Sequence, residues 1–253
     1  MRIVLITQNE VFYLPKALAY CLDHFPNHSK VVAAVVLDAS PFGKRHTFPQ
    51  QLINTFKIFG ASFFLHYSLR YVCAKLTGHD VLRVLKEWAI PVIQLDKPIN
   101  SPDSLDKIRE HSPDLLISIA GNQIFKRDLI HLPRKGTLNL HTALLPKYRG
   151  LMPTFWVLKN EDKITGVSVF FVDEGIDSGP IIVQKPVDIG DMTQEQLIIA
   201  TKKIGMDAII EAVDLIESGN YKLMENTDAQ KTYHSFPTRD DVKEFLRKGR
   251  RFY

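Results

Sequence analysis

The stretch that decides the fold is Gly136-Thr-Leu-Asn-Leu-His-Thr-Ala-Leu-Leu-Pro-Lys-Tyr-Arg-Gly150. Its residues up to His141 form a short apolar run, which predicts a buried strand. Asn139 and His141 stand two positions apart near the end of that run, so we expect them on one face of the strand. The residues that follow predict a loop, because Pro146 restricts the backbone and Gly150 permits a turn.

Upstream of this stretch, apolar runs of strand-like composition alternate with helical patterns. The runs lie at residues 2–7, Val31–Leu37, Pro91–Leu95 and Asp114–Ile119. A helix is predicted from Leu14 to His24, a loop at Asp38-Ala-Ser-Pro-Phe-Gly43, and a second helix from Ser101-Pro102-Asp103, which places Pro in the first turn. Strands that alternate with helices indicate an α/β protein whose parallel sheet is covered by helices on both faces.

Downstream of Gly150 the pattern changes. A helix is predicted up to Lys159, followed by two β-forming runs at Thr165–Val172 and Pro180–Val187. A tight hairpin-like connection, Asp173–Gly179, joins these runs and carries Asp177. A long helix then begins at the capping box Thr193-Gln-Glu-Gln196 and ends at Gly219.

The bulk composition limits the class of protein. The chain has 253 residues, of which 45% are apolar and 24% charged, so it has enough apolar residues for a large core. A net charge of +4 permits acidic substrates such as nucleotides or folates and does not demand nucleic acid. Cys21 and Cys73 form no disulfide framework and no zinc motif, which indicates a reducing compartment. We see no signal peptide and no membrane span, so a cytoplasmic location is expected.

Three polar side chains carry the chemical hypothesis. Loops at the carboxyl ends of parallel strands line the ligand crevice, and a folded-over loop would bring Asp177 to Asn139 and His141. The amide can stabilise an oxyanion, the imidazole can move a proton, and the carboxylate can orient the imidazole and accept from an amine. Each residue taken alone is more often a local cap or turn residue. Their combination with the loop before Gly150 favours catalysis.

The sequence resembles the folate-dependent formyltransferases, a group that includes methionyl-tRNA, glycinamide ribonucleotide and sugar N-formyltransferases. Asn139-Leu-His-Thr-Ala-Leu-Leu-Pro-Lys-Tyr-Arg-Gly150 is similar to their first signature, and Thr165-Gly-Val-Ser-Val through Asp177-Ser-Gly-Pro to their second. The similarity is specific from about Ser112 to Val187, weaker over residues 1–100 and absent from the tail. One departure is Thr142-Ala143, where the family usually has Pro-Ser or Ala-Ser.

The resemblance implies a fold and a domain layout. The fold would be α/β and Rossmann-like, with a mostly parallel sheet, helices on both faces and a short C-terminal extension. Residues 1–219 would form the formyltransferase domain, with a helical insertion at about 48–77, and residues 220–253 the extension.

The resemblance also implies a reaction. The donor would be 10-formyltetrahydrofolate and the acceptor a primary amine. Asn139 would hold the oxyanion, His141 would donate or shuttle a proton, and Asp177 would orient His141 and help to deprotonate the amine. No metal would be needed. The pterin would lie against an apolar slot formed by Gly121, Ile124, Phe125, Leu145, Pro146, Asp173 and Gly175.

The acceptor is narrowed by elimination to a nucleotide-linked amino sugar. Ile6–Pro15 lacks the glycines of the phosphate loop in the glycinamide ribonucleotide enzymes. About 30 residues follow Gly219, too few for the extra domain of the methionyl-tRNA enzymes, so nucleic acid is disfavoured. A homodimer is compatible with this layout. Tyr233 and Phe236 are either stacking residues for a base or, as we prefer, packing residues.

Several alternatives stay open at this point. The chain can also be a methionyl-tRNA or glycinamide ribonucleotide type of enzyme. A hydrolase of the same folate would keep the three residues but usually carries a further N-terminal domain. The alternative outside enzymology is a catalytically silent folate-fold binding module, against which the three intact residues argue.

Residues 51–76 do not fit the alternating pattern. The segment is rich in Phe, Leu and Tyr and predicts one or two helices. We interpret it as a lid or an oligomer face, because its apolar positions surround the helix and so predict burial. The alternative is a basic amphipathic surface that touches a membrane or a lipid-linked acceptor.

Overall fold

A computed structural model describes residues 1–38, 47–78 and 80–253, without the side chain of Phe48. Its strands are β1 Arg2–Gln8, β2 Lys30–Leu37, β3 Leu115–Ile119, β4 Thr137–His141, β5 Arg149–Gly150, β6 Ile164–Phe171, β7 Ile181–Asp188 and β8 Tyr233–His234. Its helices are α1 Leu14–Asp23, α2 Phe48–Phe59, α3 Ala61–Thr77, α4 Val81–Glu87, α5 Pro102–Arg109, α6 Arg127–Ile130, α7 Pro153–Lys159, α8 Gln194–Ser218 and α9 Arg239–Arg247.

The main sheet has the order β2-β1-β3-β4-β6-β7. The strands β2, β1, β3 and β4 pair in parallel, whereas β6 runs antiparallel to both β4 and β7. The predicted mostly parallel α/β sheet is therefore confirmed. It ends in an antiparallel hairpin because the connection from β6 to β7 is too short for a crossover helix.

Helices cover both faces of this sheet, as predicted. On one face α1, α4 and α8 pack through residues such as Leu14, Leu85 and Ile209. On the other face α5 and α6 pack through Leu105 and Leu129. Successive side chains of a strand point to opposite faces of the sheet. The side chains of β4 therefore alternate between the two sides.

The helix ends follow the sequence signals. Ser101 caps α5 by accepting from the backbone of Ser104 at 3.3 Å. Thr193 and Gln196 form the predicted capping box of α8, and Gly219 ends that helix with a φ of +68°. The left-handed backbone at this position favours glycine.

One predicted strand is wrong. At Pro91–Leu95 the chain makes a single bridge, between Val92 and Ala34, instead of a strand. The pairing consists of the bonds Ala34 N–H to Pro91 O and Ile93 N–H to Ala34 O. Proline has no N–H to extend the ladder. The predicted loop at residues 38–43 lies, apart from Asp38, outside the described residues.

The segment at 51–76 forms the helices α2 and α3, but the expected burial on all sides is wrong. No residue of α3 is fully buried. The hairpin packs by its inner side only, where Phe59 and Phe63 stack at 4.3 Å and Phe63 meets Phe252 at 4.9 Å. The large apolar side chains on its outer side, such as Leu65, Leu69 and Leu76, are exposed.

Candidate active site

The end of β4 carries Asn139 and His141. Leu138 and Leu140, the residues that alternate with them, belong to the core under α8. Asn139 and His141 therefore point to the opposite side of the strand. His141 is only 6% exposed, whereas Asn139 is half-buried.

The hydrogen bond of His141 fixes which ring nitrogen carries the proton. Nε2 lies 2.7 Å from the carbonyl oxygen of Tyr148, which can only accept, so we assign the proton to Nε2. Nδ1 then faces Oδ2 of Asp177 at 3.6 Å, too far for a direct hydrogen bond. A proton that reaches Nδ1 would lie between the ring and a carboxylate oxygen.

The loop between β6 and β7 holds the carboxylate of Asp177 in place. The backbone N–H of Gly150 donates to Oδ2 of Asp177 at 2.8 Å. Asp177 itself has a φ of +48°, an unusual backbone for a residue with a side chain. A Cβ on Gly179 would lie 1.8 Å from the carbonyl oxygen of Phe171, so only glycine fits there. These contacts bring Asp177 over the end of β4.

The carboxamide of Asn139 is available to a ligand. In the part of the chain that the structure describes, it makes no hydrogen bond to another residue. An amide supplies two N–H donors and a carbonyl acceptor. Beside the pair of His141 and Asp177, such donors can stabilise negative charge on a carbonyl oxygen.

Two polar side chains of the antiparallel hairpin hold the loop after His141. The hydroxyl of Ser168 accepts from the backbone of Leu145 at 3.0 Å and donates to Ala143 at 2.7 Å. The amide of Gln184 donates to the carbonyl of Leu145 at 2.8 Å. The sequence interpretation did not identify these supports, although a Ser and a Gln in an apolar strand signal buried polar partners.

The C-terminal tail also supports the site. The strand β8 pairs in parallel with β5, and the backbone of Tyr148 donates to Thr232 at 2.7 Å. The side chain of Asn226 donates to the carbonyls of Asp177 at 2.8 Å and Gly179 at 3.0 Å. The tail therefore connects the loop that follows His141 to the loop that carries Asp177.

Arg149 joins the first loop to the tail. It is buried, and its guanidinium donates to Asp228 at 2.8 Å and to the backbone and side chain of Asn226 at 3.0 Å. A buried guanidinium needs such partners. Its position in the signature was visible in the sequence, but nothing in the tail sequence indicated where its partners are.

The residues proposed to meet the pterin form neighbouring groups. Phe125 and Leu145 are buried, and each packs in a cluster that includes Val172, the residue before Asp173. Ile124 is 69% exposed, and Gly121 and Gly175 are also exposed. An exposed apolar side chain such as that of Ile124 can contact a flat heterocycle.

Two residues near the loop have shifted pKa values. Burial, together with the carboxylate of Asp162, raises the pKa of Tyr148 to about 12. Burial lowers the pKa of His234, and nearby Lys159 lowers it further. His234 lies against the ring of Trp156, with 4.6 Å between the centroids. At neutral pH both side chains are uncharged, and the ring of His234 lies between those of Tyr148 and Trp156.

A large open groove lies elsewhere on the chain. It has a volume of about 710 Å³, and its walls are formed by α5 and α6, including Arg109, Arg127 and His131. None of Asn139, His141 and Asp177 lines it. We assign the candidate site by its chemistry, because His141 and Asp177 face each other outside this groove.

The described residues contain neither a metal-binding cluster nor a membrane-spanning helix. Across residues 1–38, 47–78 and 80–253, no group of three or more His, Cys, Asp or Glu is placed to hold a metal ion. Within the same ranges, no helix has the length and apolar content needed to cross a bilayer.

Comparisons with known proteins agree with the motifs. A family profile described as formyl transferase matches residues 86–213, which is half of the chain. A methionyl-tRNA formyltransferase of Kosmotoga olearia is 35% identical over 171 residues, which cover 66% of this chain and 54% of that protein. The chain thus spans about half the length of the curated relative that it matches.

Solved structures share the fold at low identity. A phosphoribosylglycinamide formyltransferase from Anaplasma phagocytophilum has a TM-score of 0.63 at 17% identity, covering 93% of this chain and 99% of that one. An N-formyltransferase from Helicobacter canadensis, solved with folinic acid and dTDP-3-aminofucose, has a TM-score of 0.58 at 17% identity and covers 97% and 79%. These likenesses concern the fold.

Proposed function

Because the chain belongs to the formyl transferase family, we propose that it moves a formyl group from 10-formyltetrahydrofolate to a primary amine. The observation that carries this proposal is the pair formed by Nδ1 of His141 and Oδ2 of Asp177 at 3.6 Å. The carboxamide of Asn139, on the same face of β4, makes no hydrogen bond to any other described residue. The folate would supply an activated one-carbon unit, and the protein would supply orientation and electrostatics.

The chemistry assigns a task to each side chain. As the amine nitrogen bonds to the formyl carbon, negative charge grows on the formyl oxygen, where the N–H groups of Asn139 donate. Asp177 accepts the proton that the amine loses, and Nδ1 of His141 receives or returns it. The proton finally passes to the folate nitrogen as its bond to the formyl carbon breaks.

For the acceptor we propose an amino group on a nucleotide-linked sugar. The Helicobacter canadensis enzyme, solved with such a compound, supports this choice, since its likeness covers 97% of this chain, including much of the tail. Tyr233 supports it as well. Its ring is 58% exposed beside Gly150, where it can stack on a base, whereas Phe236 packs against Phe59 at 5.9 Å.

Methionyl-tRNA is the second candidate acceptor. The observation that favours it is the 35% identity to the Kosmotoga olearia enzyme, which is well above the identity to the sugar enzymes. A tRNA acceptor would need basic surface for the phosphate backbone.

A turnover assay separates these proposals. The protein is mixed with 10-formyltetrahydrofolate and either amino-sugar nucleotides, glycinamide ribonucleotide or methionyl-tRNA, and the release of tetrahydrofolate and the formylated product are measured. We expect turnover with a sugar nucleotide that disappears in His141→Ala. Turnover with methionyl-tRNA alone, steeply dependent on salt, would reject the sugar proposal. Folate binding without turnover on any amine would instead indicate a binding module.

A further inference from the structure

The outer side of the α2–α3 hairpin is an exposed apolar surface. Seven large apolar side chains of these two helices are exposed, namely Leu52, Ile53, Phe56, Leu65, Leu69, Val72 and Leu76. The helices contact each other at Phe56 and Phe64, whose ring centroids lie 5.7 Å apart. Single exposed apolar residues are ordinary, but several on two packed helices mark a surface that meets something else. We call these seven residues the hairpin surface.

The exposed side chains of α3 lie on a helix that is packed against the rest of the protein. Leu65, Leu69, Val72 and Leu76 follow the spacing of one helical face, and Leu76 is 82% exposed. The opposite side of α3 is attached to the body. There Arg70 pairs with Glu195, and the hydroxyls of Tyr13 and Tyr67 lie 2.8 Å apart. The body therefore holds α3 with the hairpin surface outward.

The charge of the hairpin selects the kind of partner. From Thr47 to Gly78 the sequence contains no Asp or Glu but includes Lys57, Arg70 and Lys75. Lys57 and Lys75 are exposed beside the hairpin surface, whereas Arg70 forms an ion pair with Glu195. An apolar helix face with lysines at its margin and no acidic residue matches an anionic surface that also has an apolar layer.

A second copy of the chain is a poorer match. A two-fold contact through the hairpin surface would bring Lys57 and Lys75 of both copies to one interface, and the hairpin offers no carboxylate to pair with them. A surface of anionic phospholipid supplies both the acyl layer for the leucines and the phosphates for the lysines.

We infer that the hairpin surface binds the face of an anionic phospholipid bilayer, with α3 lying in the plane of the lipid head groups. The described helices include none that could cross a bilayer, so the attachment is peripheral. This inference does not depend on the proposed formyl transfer, because none of the hairpin residues is assigned a role in that reaction.

The chain provides its own probe for the test. Cys73 lies on α3 between Leu69 and Leu76 and is exposed, whereas Cys21 is buried. Burial raises the pKa of the Cys21 thiol to about 12, so a thiol reagent will label Cys73 selectively. An environment-sensitive dye at Cys73 reports whether this part of α3 enters an apolar layer.

The experiment uses the full chain and two kinds of vesicle, phosphatidylcholine alone and an equal mixture of phosphatidylcholine and phosphatidylglycerol. We expect sedimentation with the anionic vesicles, release by added salt and a blue shift of the dye. The Leu69→Glu/Leu76→Glu variant should bind roughly a hundredfold more weakly. The Lys57→Gln/Lys75→Gln variant should bind about thirtyfold more weakly, since each lysine near the surface contributes about 1 kcal/mol.

Ile164→Glu is the matched control, because Ile164 is exposed to a similar extent but lies outside the hairpin. It should bind the vesicles like the parent protein. All variants are first shown to keep the parent's thermal melting. Equal binding to neutral vesicles, no binding to either, or unchanged binding by the leucine variant would overturn the inference. So would a stable dimer in lipid-free buffer that the leucine variant dissociates, since a second copy would then cover the hairpin surface.

Discussion

The loops around His141 and the α2–α3 hairpin are built in opposite ways. Around the loops, the side chains of Ser168, Gln184 and Asn226 form hydrogen bonds with backbone groups of the loops and so fix the loop positions. In the hairpin, aromatic rings hold the inner side and apolar side chains occupy the outer side. The first region uses its interactions to fix geometry inside the chain, whereas the second keeps a surface for something outside it.

The strongest test of the loop region is Asn139→Ala. We expect kcat to fall by about a hundredfold to a thousandfold, because a donor to the developing oxyanion is lost. Thermal stability should stay the same, since in the described part of the chain this carboxamide has no partner to lose. Steady-state kinetics and a melting curve measure both quantities. A fall in kcat of less than about threefold would remove Asn139 from the mechanism.

Asn226→Ala tests whether the tail fixes the loop geometry. Loss of its bonds to Asp177 and Gly179 leaves carbonyls without their donor. We expect a loss of about 1–3 kcal/mol in the free energy of unfolding and about a tenfold lower kcat. Asn220→Ala, an exposed position in the same tail, is the control and should leave both unchanged. Equal behaviour of the two variants would show that the tail merely covers the body.

Arg70→Met tests how the hairpin is attached. Arg70 pairs with Glu195 and lies over the rings of Tyr13 and Tyr67, at 5.2 Å and 5.6 Å. Its removal should cost about 1 kcal/mol and speed hydrogen exchange in residues 61–77, with kcat on a small acceptor unchanged. Arg109→Met, which removes an exposed pair with Asp106 on α5, should change neither. A large fall in kcat for Arg70→Met would join the hairpin to the catalytic region.

The smallest expected effect concerns pH. Because burial lowers the pKa of His234 below its usual 6.5, the folded state prefers the neutral ring. Its contribution to stability is present above pH 6.5 and is lost as the pH falls from there through the folded pKa. Thermal melting of His234→Phe should therefore decline less on acidification than that of the parent. An equal decline in the melting temperatures of the two proteins would show that the His234 ring does not carry this pH dependence.

The sequence predicted the regular elements of the fold where composition and periodicity agreed. The strand ending at His141, the hairpin loop with Asp177 and the capping box at Thr193 all appear where they were expected. Pro91–Leu95 was misjudged because its β-forming residues indicate extended backbone, but pairing also depends on the missing N–H of Pro91.

Two features were beyond the reach of the sequence for physical reasons. The partners of Arg149 lie 77 and 79 positions away, and no local pattern relates such distant residues. The apolar residues of α3 predict burial, yet none of them is fully buried. Periodicity shows that a helix has an apolar side, but it does not show whether the chain itself covers that side.

The pairing of β8 with β5 has a consequence for synthesis of the protein. Asn226 and Thr232 leave the ribosome long after the loops that they hold, because 77 positions separate Arg149 from Asn226. A nascent polypeptide therefore completes the candidate active site only when the segment from Asn226 to His234 has folded back onto the loops. Ribosome-bound polypeptides arrested before Asn226 are expected to be inert, and those arrested far enough beyond His234 to expose it are expected to gain turnover.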